Sequence, residues 1–193
     1  RLAGWELDHA DDTEYEVTGM PNTRGIGYVD YVLWGADGKP LALVEAKKTT
    51  VDPEVGKQQA KLYADCLEKM HGQRPIIFYT NGFLTYLWDD RFYPPRTVAG
   101  FYRREELERL IQRRARRLSL LDEPINEEIS GRPYQQRAIR SIGETFEGSH
   151  RKCLLVMATG TGKTRTAIAL VDLLQRANWV KRTLFLADRI SLV

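Results

Sequence analysis

The sequence predicts an α/β fold in two parts: a mixed sheet flanked by helices over residues 1–120, then the start of a parallel α/β lobe over 121–193. Three observations predict it. Two apolar strand patterns, 26–34 and 41–47, are separated by a turn containing Asp37-Gly38 and followed by an amphipathic helical pattern. Periodicity then breaks over Leu121–Arg132, an acidic stretch with Pro124 and Gly131 that marks a domain boundary. Beyond it, a short apolar run, a Gly-rich loop, an amphipathic helix and a second apolar run follow in the order of a βαβ unit.

Each element has its own warrant. Asp52 is a natural N-cap and Pro53 a natural first-turn residue for a helix over 53–70, with Val55, Leu62, Tyr63, Cys66, Leu67 and Met70 on its apolar face. Strands at 75–80 and 83–88 are joined by Asn81-Gly82, the signature of a two-residue hairpin. A helix over 103–118 is apolar at Leu107, Leu110, Ile111 and Leu118 and otherwise dense in Arg. Past the boundary come a helix over 133–147, a strand at Cys153–Met157, a helix over 163–176 with Ala167, Ile168, Val171 and Leu174 inward, and a strand at Thr183–Ala187.

Composition narrows the class. Hydrophobic content of 42% and charged content of 28% fit an ordinary globular chain, and no apolar run approaches the roughly 20 residues that span a bilayer. The first 100 residues hold 11 Lys and Arg against 15 Asp and Glu, a net of −4, whereas 101–193 hold 18 against 11, a net of +7. The basic half suits nucleotide phosphates or a polyanion. Isolated Cys66 and Cys153 fit a reducing cytoplasm, and the scattered His9, His71 and His150 lack the spacing of a zinc site. The first residue, Arg1, and the last, Val193, within an apolar run, suggest a piece of a longer protein.

Residues 157–164 read MATGTGKT, which meets GxxxxGK[ST] at Gly162, Lys163 and Thr164 with Met157 in the place of the first Gly. The loop Thr159–Thr164 needs little side chain: Gly160 and Gly162 let backbone N–H groups, with those of Thr159 and Thr161, close around phosphate oxygens at a helix N-terminus. Lys163 would reach the β- and γ-phosphates of ATP, and Thr164 would hold Mg²⁺. A chance Lys in a Gly-rich turn is the bland alternative. The loop resembles motif I of the helicase-like ATPases of superfamily two. Arg132-Pro133-Tyr134-Gln135 resembles their Q motif, whose Gln reads the adenine edge, and Leu184–Val193 resembles motif Ia.

In the first part, Asp30 interrupts an apolar strand, and period-two alternation puts Glu45 and Lys47 on one face of the next. Two carboxylates and a Lys on one surface are costly without a cation. A divalent metal held by Asp30, Glu45 and the Ala46 carbonyl could polarise a phosphodiester, and Lys47 could orient the attacking water. The alternative is a solvated strand end with a Glu–Lys pair. Gln59 and Tyr63, i and i+4 on the apolar side of the following helix, would project toward the same face. A backbone-satisfied Gln59 is the plain rival. The arrangement resembles the PD-(D/E)xK nuclease core, with Val29 in place of the signature Pro, and Gln59-x-x-x-Tyr63 resembles the motif in nuclease domains of type I restriction enzymes.

In order, VDYVLW, LVEAKK, QQAKLY, FYTNGFLTYLWDD, RPYQQRAI, MATGTGKT and FLADRISLV resemble the restriction subunit of a type I restriction-modification enzyme over nearly the whole chain. That resemblance implies a PD-(D/E)xK-type endonuclease domain followed by the start of a RecA-like motor lobe, with Mg²⁺ and ATP as cofactors. It implies double-stranded DNA as substrate, methyltransferase and specificity subunits as partners, and a cytoplasmic location. No downstream Asp-Glu box lies within these residues, so this stretch alone is not expected to hydrolyse ATP. The Arg-rich helix 103–117, with seven Arg and three Glu, could lie along DNA, but is more simply a solvated helix in which Glu105, Glu106 and Glu108 pair with Arg neighbours.

Overall fold

The computed structural model describes residues 3–186. The chain divides into two units, Arg1–Arg114 and Ala115–Val193. In the first, strands β1 (Thr13–Thr18), β2 (Ile26–Trp34), β3 (Pro40–Ala46), β4 (Ile76–Thr80), β5 (Thr85–Trp88) and β6 (Arg96–Val98) make one sheet in chain order. Every neighbouring pair is antiparallel except β3–β4, which is parallel. Antiparallel neighbours need only a turn between them, whereas a parallel pair needs a crossover. That crossover is helix α1 (Lys57–His71). Central β3 is buried from Pro40 to Glu45, which is why it reads as a nearly continuous apolar run.

Helix α1 is preceded by a 3-10 turn at Pro53–Gly56, capped by Asp52, whose Oδ1 accepts the Glu54 N–H at 2.9 Å. It buries Ala60, Tyr63, Ala64, Cys66 and Leu67 against Val17, Val29, Val32, Leu43, Ile77 and Tyr79. The expected apolar face is corrected at both ends, since Val55 and Met70 are exposed. Val55 lies in the 3-10 turn, where three residues per turn do not continue the α stripe. The small Ala60 and Ala64 bring the helix onto the sheet instead. The opposite sheet face, with Leu33, Leu41, Ala42, Val44, Ile76, Phe78 and Leu87, is covered by Leu107, Leu110 and Ile111 of helix α2 (Arg104–Arg116). On α2, Arg114 pairs with Asp89 at 3.0 Å rather than with a helix Glu, and Glu106 accepts the Arg103 N–H at the helix start.

Two further corrections concern the sheet. Strands β1 and β6 had no counterpart in the sequence reading. The hairpin of β4 and β5 has a four-residue loop, Asn81–Leu84, because Thr80 pairs with Thr85. The second unit holds α3 (Pro133–Glu147) and α4 (Lys163–Arg176), packed around Leu120, Ile139, Ala169, Leu173 and Ala177. The expected strands at 153–157 and 183–187 carry no sheet pairing among the described residues, so of the expected βαβ unit the structure describes the helix alone. Leu154, Val156, Leu184 and Leu186 are exposed there, and parallel strands are stable only with paired edges and covered faces. Ala187 and the rest of the motif Ia stretch lie outside the described residues. Helix α4 is apolar on two sides. The side carrying Ala169 and Leu173 is packed, while Ile168, expected inward, is half exposed. Among the described residues, no helix is long and apolar enough to cross a membrane.

Candidate active site and nucleotide loop

The antiparallel β2–β3 ladder brings Asp30 beside the C-terminal end of β3. Tyr31 pairs with Val44, and one residue further the Asp30 carboxylate replaces the backbone: its Oδ2 accepts the Ala46 N–H at 2.6 Å. Glu45 is 2% exposed. Its Oε1 accepts Lys47 Nζ at 2.6 Å, and its Oε2 is buried with no hydrogen-bond partner. Burial pushes the Glu45 carboxyl above its ordinary range, the Lys47 hydrogen bond pulls it back, and the charges of Asp30 and Glu14 push it up again. An orphaned, buried carboxylate oxygen costs free energy unless a cation or donor meets it.

The sequence placed Gln59 and Tyr63 toward this face, and the structure puts them in one chain of hydrogen bonds. Lys47 Nζ donates to Gln59 Oε1 at 2.9 Å, and Gln59 Nε2 donates to the Tyr63 hydroxyl at 2.6 Å. The backbone-satisfied alternative for Gln59 is therefore set aside. Gly56 makes room, since a Cβ there would stand 3.1 Å from both Glu45 Cγ and Lys47 Cε. Gln59→Ala should leave Lys47 without its second anchor, on a side chain 25% exposed that water can partly solvate. If the site cuts a phosphodiester, as the resemblance implies, cleavage should fall by roughly tenfold or more, while unfolding temperature moves by only a degree or two. A thermal shift large enough to account for the lost cleavage would make Gln59 a structural residue.

Asp30, Glu45 and Lys47 thus converge. Among the described residues no three His, Cys, Asp or Glu side chains gather as a metal cluster, so a cation here would take two carboxylates, with backbone oxygen and water completing its shell. That set fits Mg²⁺, which keeps several waters and accepts one or two carboxylates. Glu14 is a contributor the sequence reading missed. It lies in β1 opposite Asp30, between the pairs Thr13–Tyr31 and Tyr15–Val29, with a φ of 50° that breaks the ladder there. The alternation of TEYEVT was the signal available for it.

In the second unit, Gly160 and Gly162 have φ of 77° and 85°, and α4 begins directly after Gly162. Positive φ is what glycine supplies to a loop that must curl its N–H groups inward. Lys163 Nζ donates to the Ala158 and Met157 carbonyls at 3.1 and 3.3 Å, bridging the loop's two ends. Thr159 and Thr164 are exposed at the loop and helix start. Gln135 is buried with its amide committed to protein groups: Nε2 donates to the Thr161 carbonyl at 3.0 Å, and Oε1 accepts from Ser130 Oγ at 3.1 Å. The Tyr134 hydroxyl donates to the same Thr161 carbonyl at 2.8 Å. A Cβ on Gly162 would come within 2.5 Å of Gln135 Nε2, so the RPYQQ segment is fitted to the loop at that glycine.

The family model described as "Type III restriction enzyme, res subunit" matches residues 128–193, the segment with the nucleotide loop. The chain is 28% identical to the Type I restriction enzyme EcoKI endonuclease subunit of Escherichia coli (strain K12), over 91% of this chain and 19% of that protein. It is 32% identical to the Type I restriction enzyme EcoAI endonuclease subunit of Escherichia coli, over 88% of this chain and 22% of that one. A solved fragment assigned as an HsdR subunit of a type I restriction enzyme from Vibrio vulnificus YJ016 matches 93% of this chain and 36% of its own, at 28% identity and a TM-score of 0.43. The chain spans about a fifth of the length of the two curated relatives.

Proposed function

The chain is homologous, over nearly its whole length, to endonuclease subunits of type I restriction enzymes, and on that premise we propose that residues 1–120 are a PD-(D/E)xK-type endonuclease domain and 121–193 the start of an ATP-driven, RecA-like DNA translocase. The observation that carries the nuclease half is the buried, unpartnered Glu45 oxygen beside Asp30, with Lys47 held between Glu45 and Gln59. Asp30, Glu45 and the Ala46 carbonyl would hold Mg²⁺, which when bound supplies charge to polarise a phosphodiester and stabilise the leaving oxygen. Lys47 presents its remaining N–H to the attacking water or the phosphate. Gln59 and Tyr63 fix the direction of that ammonium.

In the motor half, the glycines and the N-terminus of α4 would cradle ATP phosphates, Lys163 would neutralise them, and Thr164 would hold the accompanying Mg²⁺. Gln135, its amide committed to Ser130 and Thr161, would brace the loop rather than read the adenine edge. The proposed substrate is double-stranded DNA, cut after translocation, in a cytoplasmic complex with methyltransferase and specificity subunits. Asp30→Ala in the full-length protein assembled with those subunits should lower cleavage by roughly a hundredfold or more while leaving ATP turnover near wild type. Cleavage at the wild-type rate by Asp30→Ala would refute the metal-site assignment.

A further inference from the structure

The tip of the β4–β5 hairpin is built unlike an ordinary surface loop. Its polar groups are turned inward and satisfied. Asn81, itself buried, accepts the Phe83 and Leu84 N–H groups on Oδ1 at 3.1 and 2.9 Å and donates from Nδ2 to the Val51 carbonyl at 3.0 Å. The buried Thr80 hydroxyl accepts the Gly82 N–H at 3.0 Å and donates to the Leu84 carbonyl at 2.8 Å. Gly82 rests on Thr49, its would-be Cβ 3.6 Å from Thr49 Cγ2. What the loop turns outward is apolar: Phe83 is 82% exposed and Leu84 49%. Turn tips are ordinarily Gly, Asn, Asp or Ser, whose side chains water solvates. A rigid turn that hides its polar atoms and displays an aromatic ring is organised for contact.

Its location says with what. Ala46 pairs with Thr80 in the parallel β3–β4 ladder, and the Lys47 N–H donates to the Thr80 carbonyl at 2.8 Å. The turn therefore rises from the same sheet end as Glu45 and Lys47, three residues beyond Thr80, on the order of 10 Å at strand rise. Exposed Lys48 starts the neighbouring loop. Two acids after Lys48 have partners of their own: Asp52 caps the Glu54 N–H, and Glu54 takes the Tyr79 hydroxyl at 2.5 Å and Lys57 at 3.3 Å. On the nuclease reading, a duplex with a phosphate at Asp30 and Glu45 would pass this sheet end, where the turn stands.

We infer that the Asn81–Leu84 turn is a DNA-contact element of the nuclease site, in which Phe83 enters the minor groove and stacks on a base beside the scissile phosphate while Lys48 contacts the backbone. Apolar wedges of this kind unstack a base step, and a stacked aromatic tolerates any sequence. Such a contact suits cleavage without a fixed sequence at the cut. The inference rests on the nuclease reading and names the residues that grip its substrate.

The test uses the full-length protein assembled with its partner subunits: a 20-base-pair duplex carrying 2-aminopurine in Ca²⁺ reads binding, and circular DNA with ATP and Mg²⁺ reads cleavage. Wild type should raise the 2-aminopurine fluorescence. Phe83→Ala should bind about tenfold more weakly or worse and lose that rise, at an unchanged unfolding temperature because the ring is exposed. Phe83→Trp should restore both. Wild-type affinity and fluorescence in Phe83→Ala would overturn the inference. Loss of self-association in Phe83→Ala, with DNA binding intact, would overturn it in favour of a protein contact. Binding and fluorescence that depend on Phe83, in an assembled protein that turns over ATP and never cuts circular DNA in Mg²⁺, would uphold the contact and remove the nuclease reading instead.

Discussion

Lys163→Ala should abolish ATP turnover in the full-length protein, and with it DNA cleavage, although Asp30, Glu45 and Lys47 are untouched. In the structure the ammonium of Lys163 spans the Met157 and Ala158 carbonyls, inside the loop proposed to take the phosphates. Among the loop residues 157–164 it is the one cation, and no neighbour in the loop can replace it. Losing one preorganised charge at developing phosphate charge typically costs roughly 10²–10³ in rate. Cleavage falls too if the nuclease fires only on DNA the motor has drawn in. The informative quantity is the asymmetry with Asp30→Ala, which should keep the ATPase. ATP turnover and linearisation of circular DNA, measured on wild type and both variants with partner subunits, decide it. Normal cleavage by Lys163→Ala would leave two uncoupled activities on one chain.

Glu45→Gln should do two opposite things: remove cleavage by roughly a hundredfold or more and stabilise the fold at neutral pH. Burial, more than any partner, pushes the Glu45 carboxyl up from its ordinary value of 4.5. The folded state thus holds that proton more tightly than the unfolded chain does. Stability linked to this group is therefore fully present below the ordinary carboxylate range and is lost as pH rises through the raised folded value. Gln carries no such charge, so its advantage should be greatest at neutral pH and vanish near pH 4. An increase in unfolding temperature of about 2–4 °C at pH 7 is the expected scale. Thermal unfolding from pH 4 to 8 reads it directly. A lower unfolding temperature for Glu45→Gln at pH 7 would mean that the Lys47 pair outweighs the burial and that the site stores no cost.

Legibility in the sequence followed locality. Strand β2, helices α3 and α4 and the QxxxY spacing are local patterns, and they stand where periodicity put them, give or take a residue at their ends. The strands flanking the loop at 157–164 look equally clear as patterns, yet 153–157 and 183–186 are unpaired, because a strand is completed by neighbours that its own residues do not specify. Strand β1 was missed although Tyr15 and Val17 alternate with Glu14 and Glu16, and with it Glu14 was missed as the third acid near Glu45. The spacing put Gln59 near Lys47. Only the fold shows that its amide oxygen meets the ammonium and its nitrogen meets Tyr63. Asn81-Gly82 announced a turn, but two buried side chains, Asn81 and Thr80, made it four residues long.

The one parallel ladder of the sheet also has a kinetic meaning. Strands β1–β3 form one meander and β4–β6 another, each closing through short connections, and they join only along β3–β4 after the chain has passed through α1. Local hairpins form early and cheaply, whereas a pairing between residues some 34 apart, as Ala46 is from Thr80, must first meet the entropy of closing that loop. Glu45 and Lys47 lie on one side of this late seam, and Gln59 and Tyr63 lie on the crossover that spans it. A half-folded chain, or one breathing open along β3–β4, therefore has these four side chains scattered. On the proposed nuclease reading, the site is complete only once this long-range seam has closed.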